Sequence, residues 1–391
     1  MNVPSMPLRM RPRVVFAGHT RYDLPLSPSL ARKWDAVSAR LHVRVIGSAG
    51  STRETDEDAV DDRFRLFRFP NSRPLEGLAF YASLPVLAAA EIRSLRPHAI
   101  VAQSPYEGIS LVPLLRALGR RRPRLIVEVH GDWRTAATLY GSSRRRALSP
   151  VANRAAATAL QHADATRALT GYTARLAQEA TGRPPIAVFP TYFDLHSFSR
   201  EPRVPLPETP SVLWVGVLER YKNPAGFANA WRAVAQRVPE VRLRMVGQGP
   251  LEEVVRSLMR EFPERVDYDR RLEPHALAKR YDEATLLALP SRSEGMGRVI
   301  LEAFTRGRPL VATDVGGIRD LVCTGHNGVL VRSGDDNALA DAMIAVLTDR
   351  RYASSLAAGA AADSLQHQWT AERYADAVAM MVERTLQRNQ P

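Results

Sequence analysis

One stretch of the sequence, residues 288–317, constrains the fold of this 391-residue chain more than any other. Thr285–Leu289 is a short apolar run of the kind that forms a buried parallel strand. The glycine loop Ser293–Gly297 follows it, and a helix is predicted over Arg298–Arg306. The next apolar run, Arg308–Ala312, predicts a second strand. This order is typical of a phosphate site, because glycines admit a close ligand and a helix start offers unpaired N–H groups.

Two glutamates accompany this loop and helix. Glu294 lies just before the predicted helix and Glu302 lies inside it, about two helical turns apart. Both carboxylates can therefore lie on one side of the helix, and each can accept two hydrogen bonds from a vicinal diol. The pattern suggests a ligand with a sugar on both sides of a diphosphate. The alternative is an amphipathic helix with Glu294 as its cap and Glu302 on its surface.

The segment resembles the signature of the family-4 retaining glycosyltransferases of the GT-B fold, in which paired glutamates have this spacing. The resemblance implies that Glu294 holds hydroxyls of a donor sugar and that Glu302 holds the ribose of its nucleotide. The loop amides would face the donor sugar and the diphosphate, which makes donor-binding candidates of Gly295, Met296, Gly297 and Arg298.

Apolar runs and helical patterns alternate along the whole chain, which predicts an α/β protein with parallel sheets. Residues 199–210 are proline-rich and lack periodicity, so they form a predicted linker between domains over residues 1–198 and 211–368. The resemblance implies a GT-B fold: two Rossmann-like domains with parallel sheets facing a cleft, an acceptor domain first and a donor-nucleotide domain second. It also implies that a C-terminal helix within residues 369–391 crosses back to the first domain.

The family pattern places two cations after the first strand of the second domain, and both hold the diphosphate. Lys222 matches the lysine of this pattern, but Val217 occupies the arginine position. Arg220 is a candidate for the missing charge. The chain has only three lysines among its 54 lysine and arginine residues, so a lysine at this position is informative. The resemblance also places Leu272 where backbone groups clamp the nucleobase.

Two strand ends in the first domain carry further candidates. Gly18 and His19 follow a predicted strand over Arg13–Gly18. The resemblance implies that this loop touches the donor diphosphate or the acceptor, although His19 can equally be an ordinary loop histidine.

A second strand, predicted over Leu125–Val129, leads into a His-Gly-Asp-Trp sequence. His130 resembles the family position at which a histidine contacts the donor sugar across the cleft, whereas a purely structural histidine is the alternative. Asp132 would orient its imidazole or contact the acceptor. Trp133 would stack on a sugar or pack in the core.

The net charge of +13 lies entirely within residues 1–200, where arginines cluster at Arg120–Arg122 and Arg144–Arg146. Solvated surface and an anionic membrane surface both fit these short clusters. Nucleic-acid binding is disfavoured because the clusters lack interleaved aromatic residues.

Composition excludes several other classes. There is no run of 18 apolar residues, so no membrane-spanning helix is expected. Residues 1–12 lack the apolar core of a secretory signal. Cys323 is the only cysteine, which excludes an internal disulfide and a cysteine metal cluster. We expect a cytoplasmic protein, with peripheral contact at the inner face of the membrane as an option.

The resemblance implies a metal-independent hexosyltransferase without a cofactor. It would move a sugar from a nucleotide-diphosphate donor to a hydroxyl of a glycan, a lipid-linked molecule or a small molecule. Glu294, Lys222 and His130 are the catalytic candidates, and neither Asp56-x-Asp58 nor Asp267-x-Asp269 is expected to hold a metal. A nucleotide-sugar epimerase or phosphorylase, and a non-catalytic GT-B subunit, remain alternatives.

Overall fold

The computed structural model describes residues 11–50, 61–68, 73–135, 147 and 149–388. The Asp56-x-Asp58 pair, the Arg144–Arg146 cluster and the first ten residues lie outside the described residues. The chain divides into two compact units. The first is formed by residues up to 134, 147–193 and 369 onwards, and the second mainly by residues 194–368.

The described part of the first unit is built on a seven-stranded parallel sheet with the order β3-β2-β1-β4-β5-β6-β7. The strands alternate with helices along the chain, as the sequence predicts. In chain order the elements are β1 (Arg13–Tyr22), α1 (Pro28–Ser38), β2 (His42–Ala49), β3 (Phe64–Phe67), α2 (Arg73–Leu95), β4 (Ala99–Ala102), α3 (Pro105–Ala117), β5 (Arg124–Val129), α4 (Ser149–His162), β6 (Ala165–Ala168), α5 (Gly171–Thr181) and β7 (Ala187–Val188).

Successive residues of β1 point to opposite faces of the sheet and so divide the core of this unit in two. Val15 and Ala17 pack with α2, α3 and α4 on one face. Val14 and Phe16 pack on the other face with α1 and with the C-terminal helix, Ala371–Gln387. The C-terminal helix therefore belongs to the first unit.

The second unit holds a six-stranded parallel sheet with the order β10-β9-β8-β11-β12-β13. Its elements are α6 (His196–Ser199), β8 (Ser211–Val215), α7 (Pro224–Arg237), β9 (Arg242–Val246), α8 (Glu252–Glu261), β10 (Val266–Asp269), α9 (Pro274–Asp282), β11 (Leu286–Leu289), α10 (Arg298–Thr305), β12 (Leu310–Thr313), β13 (Gly328–Val331), α11 (Asp336–Thr348) and α12 (Arg350–His367).

Both sheets are doubly wound, which confirms the predicted pair of Rossmann-like domains. The strand order reverses beside β1 in the first sheet and beside β8 in the second. Sheets of this type bind ligands outside the carboxyl ends of the strands at the reversal. The loops after β8 and β11 are therefore the expected ligand-binding loops of the second unit.

Two local predictions in the first unit need correction. Gly18 and His19 lie within β1 rather than in a loop, because the strand continues to Tyr22 through a register shift between Ala17 and Arg21. The sequence also predicts a loop over Gln103–Glu107 before α3, but this loop is shorter, because the Ser104 side chain caps a helix that begins at Pro105. Both differences bring strand-end residues into regular structure.

The predicted linker over residues 199–210 is fastened to the second unit. Arg306 donates from its guanidinium to the carbonyl oxygens of Phe198 at 3.0 Å, Glu201 at 2.8 Å and Pro202 at 2.9 Å. Arg308 reaches the Val204 carbonyl at 3.1 Å. Both arginines are almost fully buried, so most of this proline-rich segment is part of the second unit.

By length and composition alone, α2 could cross a membrane, since its window over Glu76–Leu95 has a mean hydropathy of 1.3. The described residues thus contain one helix of this length and composition, although the sequence has no uninterrupted run of 18 apolar residues. Phe80, Leu84 and Ala88 are nevertheless fully buried against the sheet. These three residues form the face of α2 that packs on the core, and 22% of the window is buried in all.

Candidate functional site

The centre of the site is an ion pair between the two loops that the topology singles out. Lys222 lies in the turn after β8, and Glu294 lies in the loop after β11. The Lys222 Nζ atom donates to Glu294 Oε1 at 3.1 Å and to Oε2 at 2.9 Å. The two side chains are only 9% and 12% exposed. The structure thus brings together two residues that are distant in sequence but predicted to share one ligand.

A double-glycine turn fixes the backbone at Glu294. The Gly317 amide donates to the Glu294 carbonyl at 3.0 Å. Gly316 has a φ of +54°, and a Cβ atom there would lie 2.0 Å from the same carbonyl oxygen. Only glycine fits this position, because it lacks the Cβ atom and adopts positive φ without strain.

Three backbone amides just before the start of α10 make no hydrogen bond among the described residues. Within the described residues, the amides of Gly295, Met296 and Gly297 donate no hydrogen bond, and Gly297 has a φ of +73°. The helix that follows directs its positive end toward them. The loop beside the Lys222–Glu294 pair is therefore built to accept an anion such as a diphosphate.

Glu302 is buried in the interior of α10 and is only 3% exposed, so the surface interpretation is wrong. Its Oε1 atom lies 2.7 Å from Arg298 Nε, and its Oε2 atom accepts from the Tyr281 hydroxyl at 3.0 Å. Burial raises the pKa of Glu302, and the charge of Arg298 and the Tyr281 hydrogen bond offset part of that rise. These contacts fix the carboxylate in one orientation.

The arginine position of the family pattern is open to solvent. Val217 is 40% exposed, a large exposure for an apolar side chain. Arg220 is exposed, and its guanidinium has no partner within the part of the chain that the structure describes. It is therefore available to a ligand anion.

Arg292 is a further cation at this site that the sequence pattern does not predict. Its amide donates to the Tyr221 carbonyl at 2.7 Å, and its Nε atom donates to Asn223 Oδ1 at 3.3 Å. These bonds join the β11 loop to the Lys222 turn. An arginine two residues before the motif glutamate is the only sequence signal that could have identified it.

The Gly247-x-Gly249 turn serves backbone packing. A Cβ atom on Gly247 would lie 1.7 Å from the Gly216 carbonyl oxygen, and one on Gly249 would lie 2.6 Å from that of Leu218. The two glycines let the turn after β9 support the turn that carries Lys222. Leu272, the predicted nucleobase contact, lies half-buried between β10 and α9.

Both carboxylates of Asp267-x-Asp269 face arginines. Arg244 lies 3.9 Å from Asp267, and Arg280 lies 2.9 Å from Asp269. No group of three or more His, Cys, Asp or Glu side chains suited to a metal occurs among the residues described.

In the first unit, His130 lies directly after β5 with its side chain 43% exposed. Its Nε2 atom is 2.8 Å from Oε2 of Glu128, a buried residue of β5 that the sequence reasoning missed. The available signal was a glutamate within an otherwise apolar strand, since such residues are buried only with partners.

Asp132 does not orient His130, contrary to one of the two predicted roles. It accepts from the Tyr172 hydroxyl and from the Arg134 amide, both at 2.9 Å. Trp133 is 6% exposed and packs in the core, so the packing interpretation applies rather than sugar stacking.

Gly18 and His19 are enclosed by neighbouring side chains. A Cβ atom on Gly18 would lie 1.9 Å from Gln103 Oε1. The His19 amide donates to Glu107 Oε1 at 3.1 Å, and its ring lies 5.0 Å from that of Phe80. The structure gives His19 a packed position with 28% of its side chain exposed.

The fold resembles that of several solved structures. Sucrose-phosphate synthase from Thermosynechococcus elongatus superposes with a TM-score of 0.73 at 19% identity, covering 97% of this chain and 99% of that one. HepE of Anabaena in complex with UDP-glucose gives a TM-score of 0.66 at 18% identity, with 94% and 98% covered. These likenesses identify the two-domain fold as GT-B.

Two family models match the two units separately. "Glycosyl transferase 4-like domain" matches residues 27–191, and "Glycosyl transferases group 1" matches residues 209–349. The chain therefore belongs to the family-4 glycosyltransferases.

Curated relatives agree with this family. A mannosyltransferase of Mycolicibacterium smegmatis, described as GDP-mannose-dependent alpha-(1-6)-phosphatidylinositol monomannoside mannosyltransferase, is 27% identical over 78% of this chain and 80% of its own length. A D-inositol 3-phosphate glycosyltransferase of Corynebacterium urealyticum is 31% identical over 40% of this chain and 39% of its own. The alignments with the first such relatives span less than half of their length.

Proposed function

We propose that this chain is a retaining glycosyltransferase that moves a hexosyl group from a nucleotide-diphosphate sugar to an acceptor hydroxyl. One observation carries the proposal. The Lys222–Glu294 pair lies beside three unbonded amides at the start of α10. This arrangement offers positive charge and N–H donors to a diphosphate, with a carboxylate alongside to hold sugar hydroxyls.

The reaction requires stabilisation of a leaving group. The bond from the anomeric carbon to the diphosphate oxygen breaks, and the acceptor oxygen bonds to that carbon from the same face. The acceptor proton passes to the leaving phosphate. Lys222 and the loop amides are fixed before the charge develops, which makes them effective stabilisers. The proposal includes no metal and no further cofactor.

Donor binding would rearrange the ion pair. In the structure, Glu294 accepts both hydrogen bonds from Lys222. A bound diphosphate would attract the ammonium, and the freed carboxylate oxygens would accept from the sugar hydroxyls. Arg220 and Arg292 are the additional cations near the same turn, in place of the arginine absent at Val217.

Calorimetric titration with UDP, GDP, ADP and dTDP, each with and without magnesium, tests this assignment. We expect one nucleotide to bind without magnesium, and we expect Glu302→Ala and Lys222→Ala to weaken it by at least tenfold. Lys279→Ala is the matched control, because Lys279 is exposed and lies outside the site. If the wild type binds none of the four, the donor-site assignment is wrong and a non-catalytic subunit becomes the better explanation.

We further propose a lipid-linked acceptor and peripheral contact with the cytoplasmic face of an anionic membrane. The outer face of α2 presents Leu78 and Val86, each 70% exposed, with Ala82 and Ala90 on the same helical row. The exposed Arg120–Arg121 turn follows α3, which packs beside α2. Apolar side chains and nearby arginines together suit the surface of an anionic bilayer.

Sedimentation with lipid vesicles tests the membrane proposal. Vesicles that contain phosphatidylserine should pull down the wild type, and Leu78→Glu/Val86→Glu should reduce the bound fraction several-fold. Leu365→Glu is the control, because Leu365 is 67% exposed but lies on α12 in the second unit. Equal binding of the wild type and the double variant would show that this face is not the contact.

A further inference from the structure

A charged pair lies inside the first sheet, where charges are costly. Glu128 of β5 and Arg167 of β6 are register partners on adjacent strands. Glu128 is 4% exposed and Arg167 is fully buried, and Arg167 Nη1 donates to Glu128 Oε1 at 2.5 Å. Apolar residues of similar volume often replace such pairs without loss of stability. The pair therefore calls for an explanation beyond stability.

The second oxygen of Glu128 reaches His130. Oε2 lies 2.8 Å from His130 Nε2. Burial alone would raise the pKa of Glu128, but Arg167 and His130 hold it well below its usual range, so the carboxylate stays ionised. An ionised carboxylate only accepts hydrogen bonds, so Nε2 must carry the proton. Nδ1 is then the ring nitrogen left to meet a substrate hydroxyl.

The other end of Arg167 holds the segment at which the chain leaves the first unit. Its Nη2 atom donates to the Phe189 carbonyl at 3.0 Å and to the Pro190 carbonyl at 2.9 Å. Its guanidinium also lies 4.0 Å from the centroid of the Phe189 ring. The first unit ends shortly afterwards, at Phe193. One buried guanidinium therefore links the carboxylate that holds His130 to the exit segment.

We propose that Glu128 and Arg167 are positioning residues for the transfer reaction. Glu128 fixes the tautomer and the ring orientation of His130, and Arg167 fixes Glu128 relative to the exit segment. The role in transfer rests on the proposed function, whereas the tautomer of His130 does not. Residues that bond to a reacting side chain in this way orient it without touching the substrate themselves.

Nitrogen-15 NMR of histidine-labelled full-length protein tests the tautomer directly, with His130 assigned through His130→Asn. We expect His130 in the wild type to be protonated at Nε2. The test variant is Glu128→Leu/Arg167→Leu, which removes both charges and leaves no unpaired ion in the sheet. In it, we expect the His130 signals to shift toward a mixture of tautomers.

Kinetics of the same variants give the second readout. We expect kcat to fall by roughly ten- to a hundredfold, as misplacement of a reacting group does. Nucleotide affinity should stay unchanged, because the proposed nucleotide site lies in the second unit. The matched control is Arg122→Leu/Asp164→Leu. It removes another ion pair of the first unit, with 2.6 Å between Arg122 Nη1 and Asp164 Oδ2, that does not touch His130.

The outcomes separate positioning from stability. If both double variants lose stability but keep the wild-type tautomer and kcat in the folded fraction, the positioning role is wrong. A neutral His130 ring in the wild type that carries its proton on Nδ1 instead of Nε2 would also overturn the positioning role. Failure of the proposed function would appear differently, as a wild type that binds no nucleotide although its His130 tautomer is fixed.

Discussion

At the scale of single residues, the missing arginine of the diphosphate pattern is the main departure of this chain from its family. Val217 occupies that position and is 40% exposed, so a longer side chain fits there without displacing the core. Arg220 is exposed three residues further on. We infer that its guanidinium compensates for the missing charge, since an arginine can bind phosphate oxygens in a bidentate manner.

A rescue experiment follows from this inference. Arg220→Ala should weaken binding of the nucleotide diphosphate by roughly tenfold, the effect of one lost charge-assisted hydrogen bond. Val217→Arg in the same chain should restore much of the loss, because it puts the charge back at the family position. Calorimetry on both variants provides the measurement.

Arg292→Ala serves as the comparison. Arg292 already donates to Asn223, so its substitution should weaken binding and also loosen the Lys222 turn. If Arg220→Ala binds as tightly as the wild type while Arg292→Ala does not, Arg292 is the compensating cation.

Residues that carry a family motif could be predicted from the sequence, whereas residues that act through tertiary contacts could not. Lys222 and Glu294 stand at motif positions, and the structure brings them within 2.9 Å. Glu128 shares no motif with His130, and its role depends on Arg167 of the neighbouring strand. Such pairings are set by strand register, which a single sequence does not display.

At the scale of elements, the glycine turn after β12 has a defined task. Gly316 lets the turn approach Glu294, so the orientation of a site residue depends on a turn outside its own loop. Gly316→Ala should therefore destabilise the second unit and also reduce transfer activity by more than tenfold. Left-handed backbone at a non-glycine residue costs about 1–2 kcal/mol, and the clash with the Glu294 carbonyl adds to it.

Gly325→Ala is the matched control for this prediction. Gly325 has a φ of +83°, but an added Cβ atom would meet nothing within 4 Å. The Gly325→Ala substitution should lower the stability only by the backbone strain and should leave the transfer activity unchanged. Thermal unfolding together with transfer rates distinguishes the two variants. Equal rates for both would mean that the turn does not position Glu294.

Regular elements with clear apolar patterns were predictable, and those without them were not. The strand predicted over Leu125–Val129 is observed as Arg124–Val129, and the helix predicted over Arg298–Arg306 is observed as Arg298–Thr305. β3, Phe64–Phe67, was not predicted, because four residues with only Phe64 buried give no pattern. α12, Arg350–His367, was also missed, since its buried positions are mostly alanine, glycine and serine. The buried face of this helix is therefore hardly more apolar than its exposed face.

At the scale of the whole molecule, buried arginines fasten both ends of the connection between the units. Arg167 holds the carbonyls of Phe189 and Pro190 within the first unit. Arg306 holds those of Phe198, Glu201 and Pro202 within the second. The boundary between the two units falls between these anchored segments, after Phe193. The sequence predicted a linker but not its anchors, because the guanidiniums come from distant positions.

The pKa of Glu128 makes a prediction about acid stability. Its folded-state pKa is depressed, so its contribution to stability is complete above the ordinary glutamate pKa of about 4.3 and is lost as the pH falls below it. Hydrogen exchange of the β5 and β6 amides, corrected for intrinsic rates, should show this loss begin below about pH 4.5 and grow steadily as the pH is lowered further.

Glu128→Leu/Arg167→Leu should flatten that acid dependence, whereas Arg122→Leu/Asp164→Leu should retain the Glu128 component. Arg167 and His130 bond the Glu128 carboxylate, and Lys33 of α1 and Tyr374 of the C-terminal helix also lie within electrostatic reach of it. An acid dependence that is the same in the wild type and in the Glu128 variant would contradict the assignment.

The pairing of Lys222 with Glu294 also has a consequence for chemical labelling. The chain contains only three lysines, so an amine-reactive reagent finds few side-chain targets. Lys279 is exposed, whereas Lys222 is only 7% exposed and is bound to the Glu294 carboxylate. A bound donor would take the place of this carboxylate as the partner of Lys222. Mass spectrometry can compare the acylation of Lys222 with that of Lys279. The ratio then measures how much of the donor site is occupied, with Lys279 as the internal standard. It reports on the site even before any acceptor is identified.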